Sequence, residues 1–382
     1  MVSRAQRTLF GEWWWTVDRL LLGALFSIVL LGIILLLAAS PPLATRLGVD
    51  PFYFVHRQAL YLVPAVFVLT ATSMLNPRQI RRAALIVFAV SFVLVALTPF
   101  AGAEIKGARR WLSIFGFSLQ PSEFLKPAFI VLTAWVFSEA RRNPQMPSTA
   151  IAVGSLAAVI FVLVRQPDFG QTVLIALVWC ALIFVSGLRW VWVAGIGGAA
   201  LSALAVAYHS IHHVRSRIDR FINPESGDTF QIDTAIESFM RGGWLGKGPG
   251  EGTVKRILPD GHADFIFAVA AEEFGIVLCL ILVALFSFVV LRGLWHASRE
   301  EDPFVRLVIA GITLLFGLQS SIAMAVNLHL VPAKGMTLPF VSYGGSSLIS
   351  LAFGMGMLIA LTRKHPRLRD IEEDYAPRSA HA

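Results

Sequence analysis

Long apolar segments alternate with short polar loops along almost the whole chain. A helix that crosses a bilayer needs about 20 mostly apolar residues to span roughly 30 Å of hydrocarbon, and the sequence holds about ten such segments. The first, from Leu20 to Ala39, is too long for the apolar core of a signal peptide and is expected to remain as an anchor. The segments lie approximately at residues 18–40, 57–75, 82–99, 121–138, 148–165, 169–187, 189–208, 264–293, 304–330 and 340–362. The pattern predicts an all-α fold, a polytopic membrane protein with about ten transmembrane helices and one large loop between helices seven and eight.

Lys and Arg in the loops give the expected orientation. The short loops on one side, together with both chain ends, hold about 17 of these residues, against about 7 in the opposite short loops. Because cytoplasmic loops carry the excess of Lys and Arg, both termini are expected in the cytoplasm and the long loop at about 209–263 is expected outside. We therefore expect a cytoplasmic N-terminus (1–17), a single transmembrane domain (18–362) and a cytoplasmic tail (363–382).

The composition excludes several classes of protein. Charged residues make up 15% of the 382 residues and the apolar set AVILMFWYC makes up 56%, whereas a soluble domain carries about 25% charged residues. Cys180 and Cys279 both lie inside apolar runs, which predicts neither a disulfide framework nor a zinc cluster. The net charge of +8 is explained by basic residues beside the spans rather than by nucleic-acid binding.

The long outward loop contains an amphipathic segment. Five apolar residues fall on one face of a helix, and five polar residues fall on the opposite face. The apolar set is Ile232, Ala235, Ile236, Phe239 and Met240. Two placements remain open, a helix that lies on the membrane surface and a lid that packs on the other helices.

Polar residues that depart from the membrane pattern are the candidates for chemistry. The run Lys106-Gly107-Ala108-Arg109-Arg110-Trp111 puts three cations on the side expected to be poor in them. Guanidinium groups suit phosphate oxygens, and Trp suits the headgroup level. The alternative is a loose attraction to anionic lipid headgroups.

Three further polar residues lie at the outer ends of spans four and six. Glu123 and Lys126 are three residues apart on one helix face. For these two we favour a structural ion pair. Asp168 belongs to a tight outward turn, Arg165–Asp168, which is a weak signal by itself.

The segment that leads into span eight carries the strongest signal. Asp264 stands where the helix enters the membrane, either as an N-cap carboxylate or as a general base at the membrane–water boundary. Glu272 and Glu273 follow inside the helix. Carboxylates at such positions are functional candidates by default, although a buried hydrogen bond to a neighbouring helix is a fair alternative.

The last outward loop adds a cation and a flexible break. Lys334 is followed by Ser342-Tyr343-Gly344-Gly345-Ser346-Ser347 at the mouth of span ten. A carboxylate, several cations and small-residue turns thus collect on the outer side. This set suits a substrate with a lipid tail in the bilayer and a phosphate head at its surface.

At these same residues the chain resembles the SEDS family (shape, elongation, division and sporulation), and its division branch more than its elongation branch. The resemblance covers nearly the whole chain. The motifs, in the family's order, are Gly107-Ala108-Arg109-Arg110-Trp111, Gln120-Pro121-Ser122-Glu123, Pro167-Asp168-Phe169-Gly170, His262-Ala263-Asp264-Phe265, Ala271-Glu272-Glu273-Phe274-Gly275, Lys334-Gly335-Met336-Thr337-Leu338-Pro339 and Ser342-Tyr343-Gly344-Gly345-Ser346-Ser347.

The resemblance implies a peptidoglycan glycosyltransferase of the inner membrane at the division septum. Such enzymes polymerise lipid II with inversion and release undecaprenyl diphosphate. The matching catalytic residue is Asp264, and Arg109, Arg110 and Lys334 would hold the diphosphate. Trp111, His262 and Ser342 are further candidates for substrate contact, with Glu123, Lys126, Asp168, Glu272 and Glu273 in support.

The family also implies partners, namely a single-pass penicillin-binding transpeptidase and other division proteins. A divalent cation (Mg²⁺ or Mn²⁺) is left open. Two rival functions remain, a flippase or transporter for the same lipid and a catalytically silent division scaffold.

Overall fold

The computed structural model describes residues 9–105, 108–114, 116–143, 145–187, 212–223, 229–332 and 335–363, together with single positions between 195 and 209. Most of the chain in these ranges is helical. The helices are α1 Leu9–Thr16, α2 Arg19–Arg46, α3 Tyr53–Ser73, α4 Pro77–Ala101, α5 Pro121–Arg142, α6 Ser148–Arg165, α7 Phe169–Ser186, α8 His212–Ile222, α9 Phe230–Gly242, α10 Ile266–Arg299, α11 Pro303–Asn327 and α12 Gly345–Leu361.

The predicted spans correspond to these helices. Spans one to six match α2–α7, and spans eight to ten match α10–α12. Span seven, at 189–208, falls largely outside the described residues. By length and composition, α2, α3, α4, α6, α7, α10 and α11 could each cross a membrane. The all-α polytopic fold is therefore confirmed.

The helices differ in how far they lie from the centre of the bundle. In the most apolar stretch of α11 67% of the residues are buried, against 22% in that of α4. Almost every residue of α12 is buried, and α12 packs along α3. The bundle is therefore organised around α11 and α12, which are joined by the polar loop between Asn327 and Gly345.

Local sequence sets several helix ends. Asn76 accepts a hydrogen bond from the Gln79 N–H while the Gln79 side chain accepts one from the Asn76 N–H, which is a capping box at the start of α4. Asp302 accepts hydrogen bonds from two N–H groups at the start of α11. These caps fix where the spans begin.

A small antiparallel sheet, which the sequence pattern did not predict, lies between α4 and α5. Its strands are β1 Ala103–Ile105, β2 Ala108–Ile114 and β3 Phe117–Leu119, in the order β1-β2-β3. Trp111 pairs with Ala103, and Leu112 pairs with Leu119. The sheet holds the predicted cationic run in an extended conformation.

The amphipathic segment of the long loop forms α9, which packs against the first part of α10. Ile232 and Ala235 are buried, whereas Met240 is 75% exposed. The contact is close, because a Cβ on Gly242 would lie 1.9 Å from the Ala271 carbonyl oxygen. The packing fits the lid placement that the sequence left open.

Helix α10 is interrupted near its outer end. Gly275 has φ 79° and ψ 179°, so a short helical segment precedes it and the long apolar helix follows it. The preceding loop compensates for the lost helical hydrogen bonds. Lys247 and Gly248 donate N–H groups to the carbonyl oxygens of Glu272 and Glu273 at 2.9 and 3.0 Å. The candidate residues Asp264 to Glu273 thus belong to, or directly precede, a short outer segment rather than one continuous span.

Candidate active site

Asp264 lies two residues before α10 and is half-buried. The N-cap residue of α10 is Phe265, whose side chain has no hydrogen-bond acceptor, so the placement of Asp264 as the N-cap does not hold. A Cβ on Gly335 would lie 3.0 Å from Asp264 Oδ2. The Asp264 carboxylate therefore lies close to the backbone of Gly335.

The backbone beside Asp264 is held by the loop that precedes α12. Ser342 Oγ donates to the Ala263 carbonyl oxygen at 2.6 Å and accepts from the Leu338 N–H at 2.8 Å. The Tyr343 N–H donates to the His262 carbonyl oxygen at 3.0 Å. The Ser342 hydroxyl is thus engaged with two backbone groups and holds the Asp264 loop in place.

His262 is packed among aromatic rings. Its ring centroid lies 4.8 Å from that of Phe54 and 5.4 Å from that of Tyr343, and the residue is 9% exposed. Burial raises the pKa of Tyr343 to about 12, so its phenol stays protonated at neutral pH. The described contacts give His262 a packing role beside Asp264.

Arg109 and Arg110 are consecutive on β2 at an irregularity in the pairing, because Arg109 pairs with Glu104 whereas Trp111 pairs with Ala103, which leaves Arg110 as the extra residue of a β-bulge. Arg110 donates from Nε to the Gln166 carbonyl oxygen at 3.1 Å and from Nη2 to that of Pro167 at 2.6 Å. Arg109 Nη2 lies 3.4 Å from Glu104 Oε2 in a solvent-exposed pair. Arg110 thus ties the sheet to the turn before α7, whereas Arg109 is the more available cation.

Trp111 is half-buried in β2, next to Arg110. Lys334 lies outside the described residues. Its neighbour Gly335 is described and contacts Asp264.

Asp168 is the N-cap of α7 and is 5% exposed. Its Oδ1 accepts from the Gln171 N–H at 3.4 Å and lies 4.0 Å from Arg110 Nη1. Burial raises the pKa of Asp168, although the Arg110 charge opposes the shift. Asp168 thus organises the turn that Arg110 also contacts.

Glu123 and Lys126 form a buried ion pair in α5, with 3.0 Å between Lys126 Nζ and Glu123 Oε2. Lys126 Nζ also donates to Gln319 Oε1 at 3.0 Å, and Gln319 Nε2 donates to the Thr337 carbonyl oxygen at 3.2 Å. Gln171 Nε2 donates to Glu123 Oε1 at 2.7 Å. The pair therefore belongs to a polar chain that ends two residues from Gly335.

Glu272 and Glu273 are fully buried under the loop at 250–255. Glu272 accepts from the N–H groups of Thr253, Val254 and Lys255 at 2.6, 2.7 and 2.9 Å. Glu273 forms an ion pair with Lys255, whose Nζ also donates to the Ala38 carbonyl oxygen at 3.0 Å. The two carboxylates fasten the long loop to α10, and Lys255 extends the contact to α2. Their role is structural, but their direct partners lie in the loop rather than in the neighbouring helix that the sequence alternative named.

Two buried amides near the site were missed at the sequence level. Gln319 and Asn327 are each 1% exposed on α11. The Asn327 side chain hydrogen-bonds to the backbone of Asp264 and Ala268. A polar amide inside an apolar span was the signal that could have identified both residues.

Within the described ranges, no three His, Cys, Asp or Glu side chains are grouped closely enough to hold a metal ion. The chemistry that the described site can supply is a half-buried carboxylate against a backbone segment, with cations on neighbouring loops.

Comparison with known proteins gives a consistent result. Residues 18–366 match the family model for FtsW, RodA and SpoVE, described as a cell cycle protein. The chain is 45% identical over 365 residues to the probable peptidoglycan glycosyltransferase FtsW of Caulobacter vibrioides, covering 95% of this chain and 94% of the other. The corresponding protein of Geobacter sulfurreducens is 34% identical over 355 residues, covering 91% and 95%.

Solved structures show the same fold. A chain of a peptidoglycan synthase complex that coordinates polymerisation and crosslinking superposes with a TM-score of 0.76 and 26% identity, covering 91% of this chain and 97% of that chain. The rod shape determining protein RodA of Thermus thermophilus superposes with a TM-score of 0.68 and 26% identity, covering 91% and 96%. The chain therefore belongs to the FtsW/RodA/SpoVE family of multi-pass membrane proteins, as the SEDS motifs predicted.

Proposed function

We propose that this protein is a peptidoglycan glycosyltransferase that polymerises lipid II during cell division and releases undecaprenyl diphosphate. The observation that carries the proposal is the placement of Asp264, half-buried before α10 with its carboxylate against Gly335. The names of the FtsW relatives support the reaction class. The 45% identity over 95% of the chain supports the division branch.

In the proposed reaction Asp264 is the general base. Its carboxylate takes the proton of the acceptor sugar 4-hydroxyl while that oxygen bonds to the anomeric carbon of the donor. The bond from that carbon to the diphosphate breaks, its electron pair leaves with the lipid diphosphate, and the anomeric configuration inverts. A positioned base of this kind contributes roughly 10²–10⁴-fold to the rate.

Cations stabilise the charge that develops on the departing diphosphate. Arg109 is exposed and only weakly paired with Glu104, so it can turn towards phosphate oxygens. Lys334 is adjacent to Gly335 in the sequence and is the second candidate. Arg110 acts indirectly, because its guanidinium already holds the turn before α7.

The proposal includes a location and a partner. The outward loops, with Asp264, face the extracytoplasmic side at the division septum, and both termini are cytoplasmic. The excess of Lys and Arg in the opposite loops supports this orientation. A single-pass penicillin-binding transpeptidase would crosslink the strands, as the coupling named for the related synthase complex suggests.

Purified full-length protein in liposomes, with its transpeptidase and labelled lipid II, tests the function. The Asp264→Asn variant is expected to lose polymer while still binding lipid II. Asp260→Asn is a matched control in the same loop, because Asn tolerates the positive φ of 53° at that position. Polymer from Asp264→Asn at the wild-type rate would reject the proposed base.

A flippase is the second candidate, and the buried Glu123–Lys126 pair in α5 favours it, since transporters place ionisable groups within the membrane. The same liposomes separate the two functions. Lipid II scrambling that persists in Asp264→Asn without any polymer from the wild type would favour the flippase. A silent scaffold would give neither activity.

A further inference from the structure

Asn327, the last residue of α11, reaches across to the beginning of α10. It is 1% exposed and makes three hydrogen bonds through its side-chain amide. Nδ2 donates to the carbonyl oxygen of Asp264 at 2.9 Å and to that of Ala323 at 2.8 Å. Oδ1 accepts from the Ala268 N–H at 3.1 Å. One amide therefore joins α11 to both sides of the α10 start.

These bonds supply a side-chain cap that the N-cap residue of α10 cannot supply. The first N–H groups of a helix need acceptors from outside the helix, and the side chain at the N-cap normally provides one. Phe265 occupies the N-cap and has no acceptor in its side chain. The Ala268 N–H donates both to the Phe265 carbonyl oxygen and to Asn327 Oδ1, each at 3.1 Å, so Asn327 adds a side-chain acceptor from a neighbouring helix. Its Nδ2 donates to the Asp264 carbonyl oxygen next to this position.

The other contacts around Asp264 complete a clamp. Ser342 holds the Ala263 carbonyl oxygen, and Gly335 lies against the Asp264 carboxylate. Asn327 acts from α11, whereas these two residues act from the loop before α12. The backbone at residues 263 and 264 is thus held from two directions, by α11 and by the loop before α12.

We propose that Asn327 is a positioning residue for Asp264. The inference rests on the proposed function, because it assumes that Asp264 is the base. Asn327 holds the backbone of residue 264 so that the carboxylate meets the acceptor hydroxyl in a reactive orientation. A displacement of about 1 Å in such a geometry can lower a rate by about 100-fold. Substrate affinity depends on other contacts and should change little.

The test compares two Asn327 variants with a control variant that loses a helix cap elsewhere in the protein. Asn327→Leu removes both the donor and the acceptor at nearly constant volume. Asn327→Ser is the milder variant, because it leaves room for water to bond the two backbone groups. It provides the test if the Leu variant does not fold. Asn76→Leu is the control, since it removes an Asn cap from α4 without any contact to Asp264. Each full-length protein is assayed for kcat, KM and Tm with labelled lipid II and the transpeptidase.

The expected result is a fall in kcat of about tenfold or more in both Asn327 variants, with KM within about threefold of the wild type. Asn76→Leu should lower Tm while leaving kcat per folded molecule unchanged. A folded Asn327 variant with kcat within about twofold of the wild type would overturn the positioning role.

Asp264→Asn in the same series separates the two proposals. An inactive Asp264→Asn beside fully active Asn327 variants would overturn the positioning role alone. An active Asp264→Asn would overturn the proposed base and, with it, the positioning role.

Discussion

Asp264 and the pair Glu272–Glu273 lie within ten residues of one another, yet their surroundings differ. Glu272 and Glu273 are fully buried, and the first accepts three backbone N–H groups. Asp264 is half-buried, and Asn327 bonds its backbone carbonyl oxygen. The glutamates stabilise a loop with their carboxylates, whereas Asp264 has its main chain fixed and its carboxylate placed at the site.

A structural carboxylate differs from a catalytic one in the groups that it bonds and in the space around it. A Cβ on Gly252 would lie 2.9 Å from Glu272 Oε2, so the loop encloses that group completely. A base must reach the proton that it removes, within about 3 Å or through one water. An enclosed carboxylate with satisfied bonds cannot do so. Substitutions at the glutamates should therefore affect folding, and substitutions around Asp264 should affect turnover.

The largest effect is expected from Glu272→Ala. It leaves three buried backbone N–H groups without their acceptor, at a cost of about 1–3 kcal/mol each. The variant should unfold at a much lower temperature or fail to accumulate in membranes, as measured by Tm in detergent and by immunoblotting. Glu251→Ala, at an exposed neighbouring glutamate, is the control. An unchanged Tm for Glu272→Ala would contradict the structural role.

The next effect is expected from Gly335→Ala. The added Cβ would lie 3.0 Å from Asp264 Oδ2, so the carboxylate must move. We expect kcat to fall by about tenfold or more with a small change in Tm, measured with labelled lipid II. Gly261→Ala is the control, because its Cβ would meet ordinary contacts of 3.4 Å or longer. Equal activity of the two variants would argue against a fixed carboxylate position.

A moderate effect on stability alone is expected from Asp18→Asn at the start of α2. Burial raises the pKa of Asp18, but hydrogen bonds from His296 and Arg292 outweigh it and lower the pKa well below 3.8. The folded state thus binds this proton less tightly than the unfolded state, so the stabilisation is present above about pH 3.8 and is lost as the pH falls. Tm of the variant should be lower at neutral pH, and the difference should shrink in acid. A gap that widened in acid would contradict this sign.

The smallest effect is expected from Arg109→Gln. This cation is exposed, so Tm should change by less than a degree or two, while KM for lipid II should rise by a factor of about three to ten if it holds diphosphate. Arg110→Gln should instead lower Tm, because it loses two carbonyl partners in the turn before α7. Measuring Tm and KM for both variants separates the roles. Identical behaviour of the two would contradict the division between them.

Much of the fold followed from the sequence because membrane spans have a strong periodic and compositional signal. The outer sheet did not, since β1 and β3 have three residues each and short strands carry little pattern. For the same reason the sequence treats Arg109 and Arg110 alike, although Arg110 lies at a β-bulge and bonds the turn before α7, whereas Arg109 is exposed. The interruption at Gly275 was also hidden, because the apolar run continues through it.

The candidate site was only partly predictable. Asp264 could be identified, because the motif around it resembles that of the SEDS family; position alone would not single it out, since Asp18, Asp168 and Asp302 also stand at the starts of helices. The partners that hold it could not, because Asn327 and Ser342 act through the backbone of residues distant in the sequence. Sequence alone also does not distinguish Glu272 from Asp264, since both are carboxylates in the same segment.

The most direct test of the central claim is chemical rescue of Asp264→Ala by a small carboxylate. If Asp264 supplies only a base, the variant should make no polymer in buffer, and added formate should restore polymer at a rate that rises with formate concentration. Glu272→Ala should show no such response, because its site is enclosed. Polymer from Asp264→Ala at the wild-type rate, without any added carboxylate, would contradict the account.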